Sequence, residues 1–209
     1  MKRTIKIIIN IAVFVMVAFA WGRMFRGEDG ALTSRGFVSL KYFTVLSNLL
    51  AGIASLVYVA ALLRGKVGRF VYLLKYAGVT SVGLTFIVVM AFLGPTMGYR
   101  LMFVGSSLYM HLIVPLLAAG EFIFLDHEHE VRMRDTLCAV IPMVLYGIFY
   151  VGNILINGVG EGFTSNDWYG FTMFGVDKIW LVYLIVTLVT WGIACGLRAG
   201  NRAALKAVN

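Results

Sequence analysis

Polar residues recur at helical spacing within the second long apolar stretch of the sequence. Four of them stand at offsets of 0, 3, 4 and 11, which share one face of a helix with 3.6 residues per turn: Thr44, Ser47, Asn48 and Ser55. Lys41 lies one turn before Thr44 on this face. Hydroxyl and amide side chains commonly bond between membrane helices, so helix packing is one interpretation of the face. The other interpretation is a hydroxyl nucleophile with hydrogen-bond donors beside it.

A histidine is the second candidate for chemistry, because His111 is the only histidine within a long apolar stretch. An intramembrane histidine is either a packed, hydrogen-bonded side chain or a functional imidazole. Pro115 follows four residues later and lacks the amide that would bond the His111 carbonyl, so we expect a kink beside the imidazole. Ser107 precedes the histidine by one turn and is a candidate for substrate binding.

Thr44 and His111 could form a nucleophile–base pair. Their two stretches are expected to enter the membrane from the same side, which places the residues roughly 10 and 15 Å below the outer ends at 1.5 Å per residue. A neutral imidazole would take the proton of the Thr44 hydroxyl, and the hydroxyl oxygen would attack an ester carbonyl. The Asn48 amide or the Ser47 hydroxyl could donate to the oxyanion, and water would then release the acyl group.

The sequence offers several groups that could orient the histidine. Glu121 lies ten residues deeper on the same stretch, about 15 Å along a helix axis. Asp177 stands at the outer end of the sixth stretch and is better placed, and Asn153 lies near the outer end of the fifth. The full set of candidate oxyanion or substrate-binding residues is Lys41, Ser47, Asn48, Ser107, Asn153 and Asp177. Each of them also has an ordinary structural interpretation.

The composition indicates which elements must hold these residues. The chain has 209 residues, of which 60% are hydrophobic and 13% charged, against roughly 25% charged in soluble domains. Mean hydropathy is +0.88. A disordered chain is excluded by this hydrophobicity, and a soluble globular domain is excluded because one core could not bury so much apolar surface. We therefore expect an all-α, polytopic membrane protein with a single domain over residues 1–209.

Six apolar runs of about 20 residues predict six transmembrane helices in one bundle. They cover residues 5–24, 37–63, 71–93, 101–125, 136–156 and 177–197. Twelve Lys and Arg residues fall on the side of both termini and six on the other side, so the positive-inside rule places both termini in the cytoplasm. We expect an integral, multi-pass protein of the inner (plasma) membrane.

The basic residues fit this topology, so the net charge of +8 does not require a nucleic-acid partner. Lys2, Arg3 and Lys6 precede a first run that contains Ala18-Phe19-Ala20, a pattern that also resembles a signal peptide with its cleavage site. We favour an uncleaved first helix.

Two connecting segments carry further polar residues. The glycine-rich segment 157–176, with Trp168 and Tyr169, is either a floppy connection or a lid over an outward-opening pocket. The run Asp126-His127-Glu128-His129-Glu130 has metal-ligating residue types but no spaced ligand motif, so we expect a solvated loop. The expectation is no metal and no cofactor.

Two short motifs resemble those of a known family. They are Lys41-Tyr42-Phe43-Thr44-Val45-Leu46-Ser47-Asn48 and, further along, Met110-His111-Leu112-Ile113-Val114-Pro115. The chain resembles the androgen-induced family of multi-span threonine hydrolases, and looks most similar to its bacterial six-span relatives. The resemblance implies cleavage of fatty acid esters of hydroxy fatty acids, the reaction of the animal members, with Thr44 as nucleophile and His111 as base.

The resemblance is incomplete at two positions. The animal pattern has asparagine three positions after the threonine, where this chain has Ser47. Its proline follows the histidine by five positions, whereas Pro115 follows by four. Both differences leave Thr44 and His111 in place. The first one moves the asparagine by one position, and the oxyanion role of Asn48 depends on whether its amide still reaches the site.

Three functions are therefore carried forward. The leading hypothesis is an integral membrane hydrolase of lipid esters, with the Thr44–His111 pair in the outer half of the bilayer and a fatty-acyl ester as partner. Acyl transfer to another alcohol is a close variant. The alternative is a non-catalytic lipid-binding or small-molecule transport protein, and the third is a structural subunit of a larger complex.

Overall fold

The computed structural model describes residues 2–27, 35–161 and 165–208. Six helices in this part of the chain are long and apolar enough to cross a membrane, which confirms the expected all-α six-span architecture. They are α1 (Lys2–Arg26), α2 (Phe43–Leu63), α3 (Arg69–Met97), α4 (Ser106–Phe124), α5 (Met133–Asn157) and α6 (Val176–Ala207). No β-strand occurs among the described residues.

The second span begins later than the apolar run predicts. A separate 3₁₀ helix covers Gly36–Lys41, and Tyr42 follows with an extended backbone, at φ −87° and ψ 131°. This break turns the chain before α2 begins at Phe43. The apolar residue Phe37 therefore belongs to the 3₁₀ helix, since hydropathy alone does not register a change of backbone direction.

The fourth span also begins later than expected. Leu101 belongs to a short helix, Tyr99–Met102, which is separate from α4. Gly105 has a φ of 59°, in the left-handed region that favours glycine, and it forms the N-cap of the first turn of α4. Helix α4 therefore starts at Ser106.

Two of the six helices contain a π turn directly before a proline. The turns cover Val89–Leu93 in α3 and Tyr109–Ile113 in α4, and the prolines are Pro95 and Pro115. Because proline has no amide hydrogen, the carbonyl four residues before it loses its α-helical partner, and a local i→i+5 pattern accommodates the loss. The expected irregularity beside His111 takes this form.

The main core lies among α1, α2, α3, α4 and α6. Its largest buried side chains are aromatic, and the rings of Tyr76 and Phe122 stack with centroids 5.0 Å apart. Gly78 lets α3 approach α2 closely, because a Cβ there would lie 3.1 Å from the Ala51 Cα. This contact fixes the separation of the two central helices.

Helices α5 and α6 form a second cluster with the segment that joins them. Tyr150, Phe171 and Ile179 are buried at its centre. The outward faces of both helices carry large exposed apolar side chains, as lipid contact requires: Leu145, Ile148, Phe149, Leu181, Leu184 and Leu188.

The run from Asp126 to Glu130 is not the solvated loop that we expected. Asp126 is fully buried, and its neighbours fold back onto the bundle. A ring nitrogen of His127 bonds the Ile123 carbonyl at 3.1 Å, and one of His129 bonds the Val67 carbonyl at 2.8 Å. The expectation was wrong because the partners that desolvate this run come from helices distant in sequence. Within the described part of the chain, no group of His, Cys, Asp and Glu side chains has the arrangement of a metal site.

Candidate functional site

An apolar cavity of about 370 Å³ lies beside the first turn of α2. Side chains of α2, α3, α5, α6 and the connection between α5 and α6 enclose it, and none of its lining residues in the described chain is charged. Its apolar lining includes Phe43, Leu84, Val88, Phe92, Met143, Phe171, Val182 and Val186. This volume and lining suit an uncharged ligand such as a hydrocarbon chain.

Thr44 is one of the residues that line this cavity. It is the second residue of α2, about 1.5 Å along the helix from Phe43, and therefore lies nearer the helix start than the expected 10 Å. Its carbonyl accepts hydrogen bonds from Asn48 Nδ2 at 2.8 Å and Ser47 Oγ at 3.1 Å. The positive end of the α2 dipole lies at this turn and favours negative charge beside Thr44.

His111 lies within the π turn of α4, five residues or about 8 Å from Ser106. Its Nδ1 is 2.8 Å from the Met102 carbonyl oxygen. A carbonyl can only accept, so Nδ1 carries the hydrogen and Nε2 is left as the acceptor. That tautomer is the one a general base requires, and a backbone carbonyl orients it.

Asn48 connects the two helices that carry Thr44 and His111. It is fully buried, and its Nδ2 donates to the Thr44 carbonyl of α2 and, at 3.1 Å, to the Met110 carbonyl of α4. Both amide hydrogens are therefore used, and no donor is left for an oxyanion. Ser47 is also buried, bonded to the Thr44 carbonyl and, at 3.0 Å, to Thr85 Oγ1.

The structure does not join the two proposed catalytic side chains directly. No hydrogen bond links Thr44 and His111 among the described residues, and His111 does not line the cavity. The Asn48 bridge holds their backbones together, since it contacts the Thr44 carbonyl and the residue before His111. The nucleophile–base pair therefore stays a prediction.

The other candidate residues lie around the site rather than in it. The Lys41 ammonium lies 5.2 Å from the centres of the Tyr42 and Trp168 rings. Asn153 Nδ2 donates to Asn166 Oδ1 at 3.1 Å. Asp177 is exposed and Ser107 half-buried, and neither contributes to the cavity lining.

Glu121, the deeper candidate for orienting His111, faces another group. It is buried against Lys75 and Asn10 near the opposite end of α4. Its side chain therefore serves an ionic cluster in the bundle rather than the imidazole.

The described part of the connection between α5 and α6 forms a cover over the cavity, which we call the lid (residues 165–175). Tyr169, Phe171 and Phe174 line the cavity from this side. The Tyr169 hydroxyl accepts the Phe43 amide at 2.8 Å, so the lid is attached to the start of α2. Of the two interpretations of this segment, these contacts favour the lid.

Asp167 holds the lid in shape. Its carboxylate accepts the Tyr150 hydroxyl and the amides of Phe171 and Thr172, the latter two at 2.8 Å. Burial raises the pKa of this carboxyl, but hydrogen bonds from Thr172 and Tyr150 outweigh it and hold the pKa below its usual range.

Tyr169 is the functional candidate that the sequence pattern did not single out from its neighbours. Burial raises the pKa of its hydroxyl to about 12, against hydrogen bonds that lower it, so the hydroxyl keeps its proton at neutral pH. Thr44 and Tyr146 both interact with this hydroxyl. A protonated phenol beside Thr44 is a possible donor to an anion formed there.

Comparison with known proteins adds no family to this description. The chain matches no protein-family model, and no curated protein or solved structure is similar to it. The two motifs around Thr44 and His111 therefore remain a resemblance, and the fold and the geometry of the cavity are the findings on which a function must rest.

Proposed function

We propose that this protein is an integral membrane hydrolase of lipid esters, of the fatty acid ester of hydroxy fatty acid type. One observation carries the proposal: an uncharged, apolar cavity of about 370 Å³ has Thr44, a residue with a hydroxyl group, among its lining residues. An acyl chain would occupy the apolar lining, and its ester carbonyl would lie at Thr44. The membrane that we propose is the inner (plasma) membrane.

The chemistry proposed for His111 uses its free nitrogen. Nε2 takes the proton from Thr44 Oγ1, and this oxygen attacks the ester carbonyl carbon to form a tetrahedral intermediate. The leaving alkoxide takes the proton back from Nε2 as the acyl–Thr44 ester forms. Water, deprotonated by the same nitrogen, then attacks the carbonyl carbon of this ester. The bond to Thr44 Oγ1 breaks, the fatty acid is released, and Thr44 Oγ1 takes the proton back from Nε2. These steps require the imidazole to approach Thr44 when substrate binds, through a change in the π turn of α4.

We assign the oxyanion to Tyr169 rather than to Asn48 or Ser47. The hydrogens of the Asn48 amide are committed to two carbonyls, and the Ser47 hydroxyl is bonded within the bundle. The Tyr169 hydroxyl accepts the Phe43 amide and has a hydrogen of its own to donate. The start of α2 contributes a favourable dipole at the same place.

Covalent labelling of the purified protein with a fluorophosphonate tests the proposal. The wild type should be labelled in lipid discs, because an activated hydroxyl attacks the phosphorus. Thr44→Val, which keeps the shape of the side chain without its hydroxyl, and His111→Ala should each abolish labelling. Labelling that persists in Thr44→Val would place the nucleophile elsewhere.

A second candidate function is binding of a lipid without chemistry. The absence of a Thr44–His111 hydrogen bond among the described residues favours it. It predicts that the wild type does not react with the fluorophosphonate, in detergent or in lipid discs, while a fluorescent fatty acid still binds the cavity. Labelling of the wild type that depends on Thr44 would exclude this candidate.

A further inference from the structure

Ionisable side chains from three helices and one loop meet inside the bundle, near the end that carries both termini. Lys6 of α1, Lys75 of α3 and Glu121 of α4 are buried there, with Asp126 and Glu128 from the loop after α4. The Lys75 ammonium lies 2.6 Å from Asp126 Oδ2 and also pairs with Glu121, while Lys6 pairs with Glu128. We call these five side chains the ionic cluster.

The ionic cluster has more carboxyl groups than ammonium groups. Three carboxyl groups face two ammonium groups, so one negative charge is left over if every group is ionised. The other side chains that bond Asp126 are neutral. Tyr58 of α2 bonds its carboxyl group, whereas Tyr72 of α3 and Asn201 of α6 donate to its backbone carbonyl. An uncompensated charge at the fully buried Asp126 is costly, so the count favours one additional positive charge in the cluster.

Hydrogen bonding at Tyr58 also requires one additional proton in the ionic cluster. The Tyr58 hydroxyl oxygen lies 2.7 Å from Asp126 Oδ1 and 2.7 Å from Glu128 Oε2. A hydroxyl has one hydrogen and can donate to only one carboxylate. The other of the two short contacts needs a second hydrogen, and one of the two carboxyl groups must supply that hydrogen.

The ion pairs and the contacts of Tyr58 together identify the carboxyl group. Glu128 pairs with Lys6 and lies in the loop, where its pKa is lowered: burial raises the pKa, but hydrogen bonds from Lys6 and Tyr58 outweigh it. Glu121 pairs with Lys75 and also accepts from Asn10. Lys75 is shared between Glu121 and Asp126, and of these two carboxyl groups only Asp126 contacts Tyr58, so Asp126 is assigned as the neutral acid.

We propose that Asp126 binds one proton and donates it in a hydrogen bond to the Tyr58 oxygen, while the Tyr58 hydroxyl donates to Glu128. The ionic cluster is thus a proton-binding site. Its path to solvent is a cavity of about 250 Å³ whose charged lining residues are Lys2, Arg3, Lys6 and Glu128, at the face that the positive-inside rule assigns to the cytoplasm. Release of the proton leaves the Asp126 carboxylate and one unbalanced charge inside the bundle.

A cation other than a proton fits less well. Each carboxyl oxygen of the ionic cluster already has an ammonium, amide or hydroxyl group within 2.7 Å, so the oxygens are not free to surround a metal ion.

Infrared spectroscopy of the wild-type protein in lipid discs tests the proposal. At neutral pH we expect the carbonyl band of a protonated carboxylic acid, which should shift when aspartate carboxyl groups are labelled with ¹³C and stay in place when glutamate is labelled. No band at neutral pH, or a band that shifts only with labelled glutamate, would overturn the assignment.

Two variants sharpen the result. Asp126→Asn should lose the band, and its amide can donate to the Tyr58 oxygen in place of the acid. Asp167→Asn is the matched control, because Asp167 also bonds a tyrosine hydroxyl but without a second carboxylate on that tyrosine. The infrared band of the protonated acid should persist in this variant. A band retained in Asp126→Asn would contradict the proposal, and the labelled wild type decides the question if that variant does not fold.

Discussion

The Tyr169 hydroxyl interacts with Thr44 and accepts the Phe43 amide at 2.8 Å. We expect Tyr169→Phe to reduce fluorophosphonate labelling or ester turnover about 100-fold, the usual cost of losing one oxyanion donor. The phenyl ring remains in the lid, so binding of a fatty acid should be unchanged. Equal losses of labelling and binding would mean that Tyr169 only shapes the cavity.

Residue identity and spacing could predict which side chains are candidates but not their partners. The threonine is in the cavity lining, as a nucleophile needs, whereas Asn48 uses both amide hydrogens on carbonyls. The group that orients His111 is the Met102 carbonyl. Every residue carries a carbonyl, so sequence contains no sign of which one will serve this purpose.

At the scale of elements, the π turn before Pro115 determines where the His111 ring points. Pro115→Ala restores the missing amide and allows a regular α-helix, which would rotate the imidazole away from Met102. We expect labelling to fall about 100-fold while the thermal midpoint stays the same or rises. Leu116→Ala, an exposed neighbour, should leave labelling intact. Unchanged labelling in Pro115→Ala would remove the π turn from the mechanism.

The lid depends on an ionised Asp167. Because hydrogen bonds lower the folded-state pKa, the stabilisation is fully present above the unfolded-state pKa of about 3.9 and is lost as the pH falls through the folded-state value. We expect Asp167→Asn to speed hydrogen exchange at the Phe171 and Thr172 amides at neutral pH, since both donate to this carboxylate. Protection that is equal in the two proteins at neutral pH would show that Asp167 does not hold the lid.

The elements were predictable because each span needs only a long apolar run, a local property of the sequence. The ends of the spans were less predictable. Tyr42 ends the 3₁₀ helix before α2, and Gly105 begins α4, through backbone conformations that hydropathy does not report. The extension of α6 beyond Leu197 is stabilised by Asn201, which donates to the Phe122 and Asp126 carbonyls at 2.7 Å.

For the whole molecule, the close approach of α2 and α3 at Gly78 controls stability. A methyl group at Gly78 would meet the Ala51 backbone at 3.1 Å, so Gly78→Ala should cost about 1–3 kcal/mol in the free energy of unfolding. Gly192→Ala is the control, because no atom lies within 4 Å of its added Cβ, and better helix propensity should stabilise by up to about 1 kcal/mol. Equilibrium unfolding in detergent measures both, and similar effects of the two substitutions would contradict the packing argument.

The ionic cluster shows why burial was harder to foresee than topology. Lys6 and Lys75 lie in the first turns of apolar runs and Asp126 directly follows one. Charges at the ends of such runs are normally solvated, and the positive-inside rule counts the two lysines as cytoplasmic residues. Their burial depends on partners far along the chain, since Asn10 and Glu121 are 111 positions apart. Tertiary contacts at that separation leave no periodic pattern in a single sequence.

The central claim is that the cavity beside Thr44 holds an acyl chain, and photocrosslinking with a diazirine-bearing fatty acid tests it most directly. We expect adducts on cavity residues such as Val88 and Val186, competed by unlabelled lipid ester. Val186→Phe should fill the cavity and remove these adducts, whereas Val189→Phe, the same change at an exposed position three residues on, should not. Adducts confined to the outer faces of the helices and unaffected by Val186→Phe would contradict the claim.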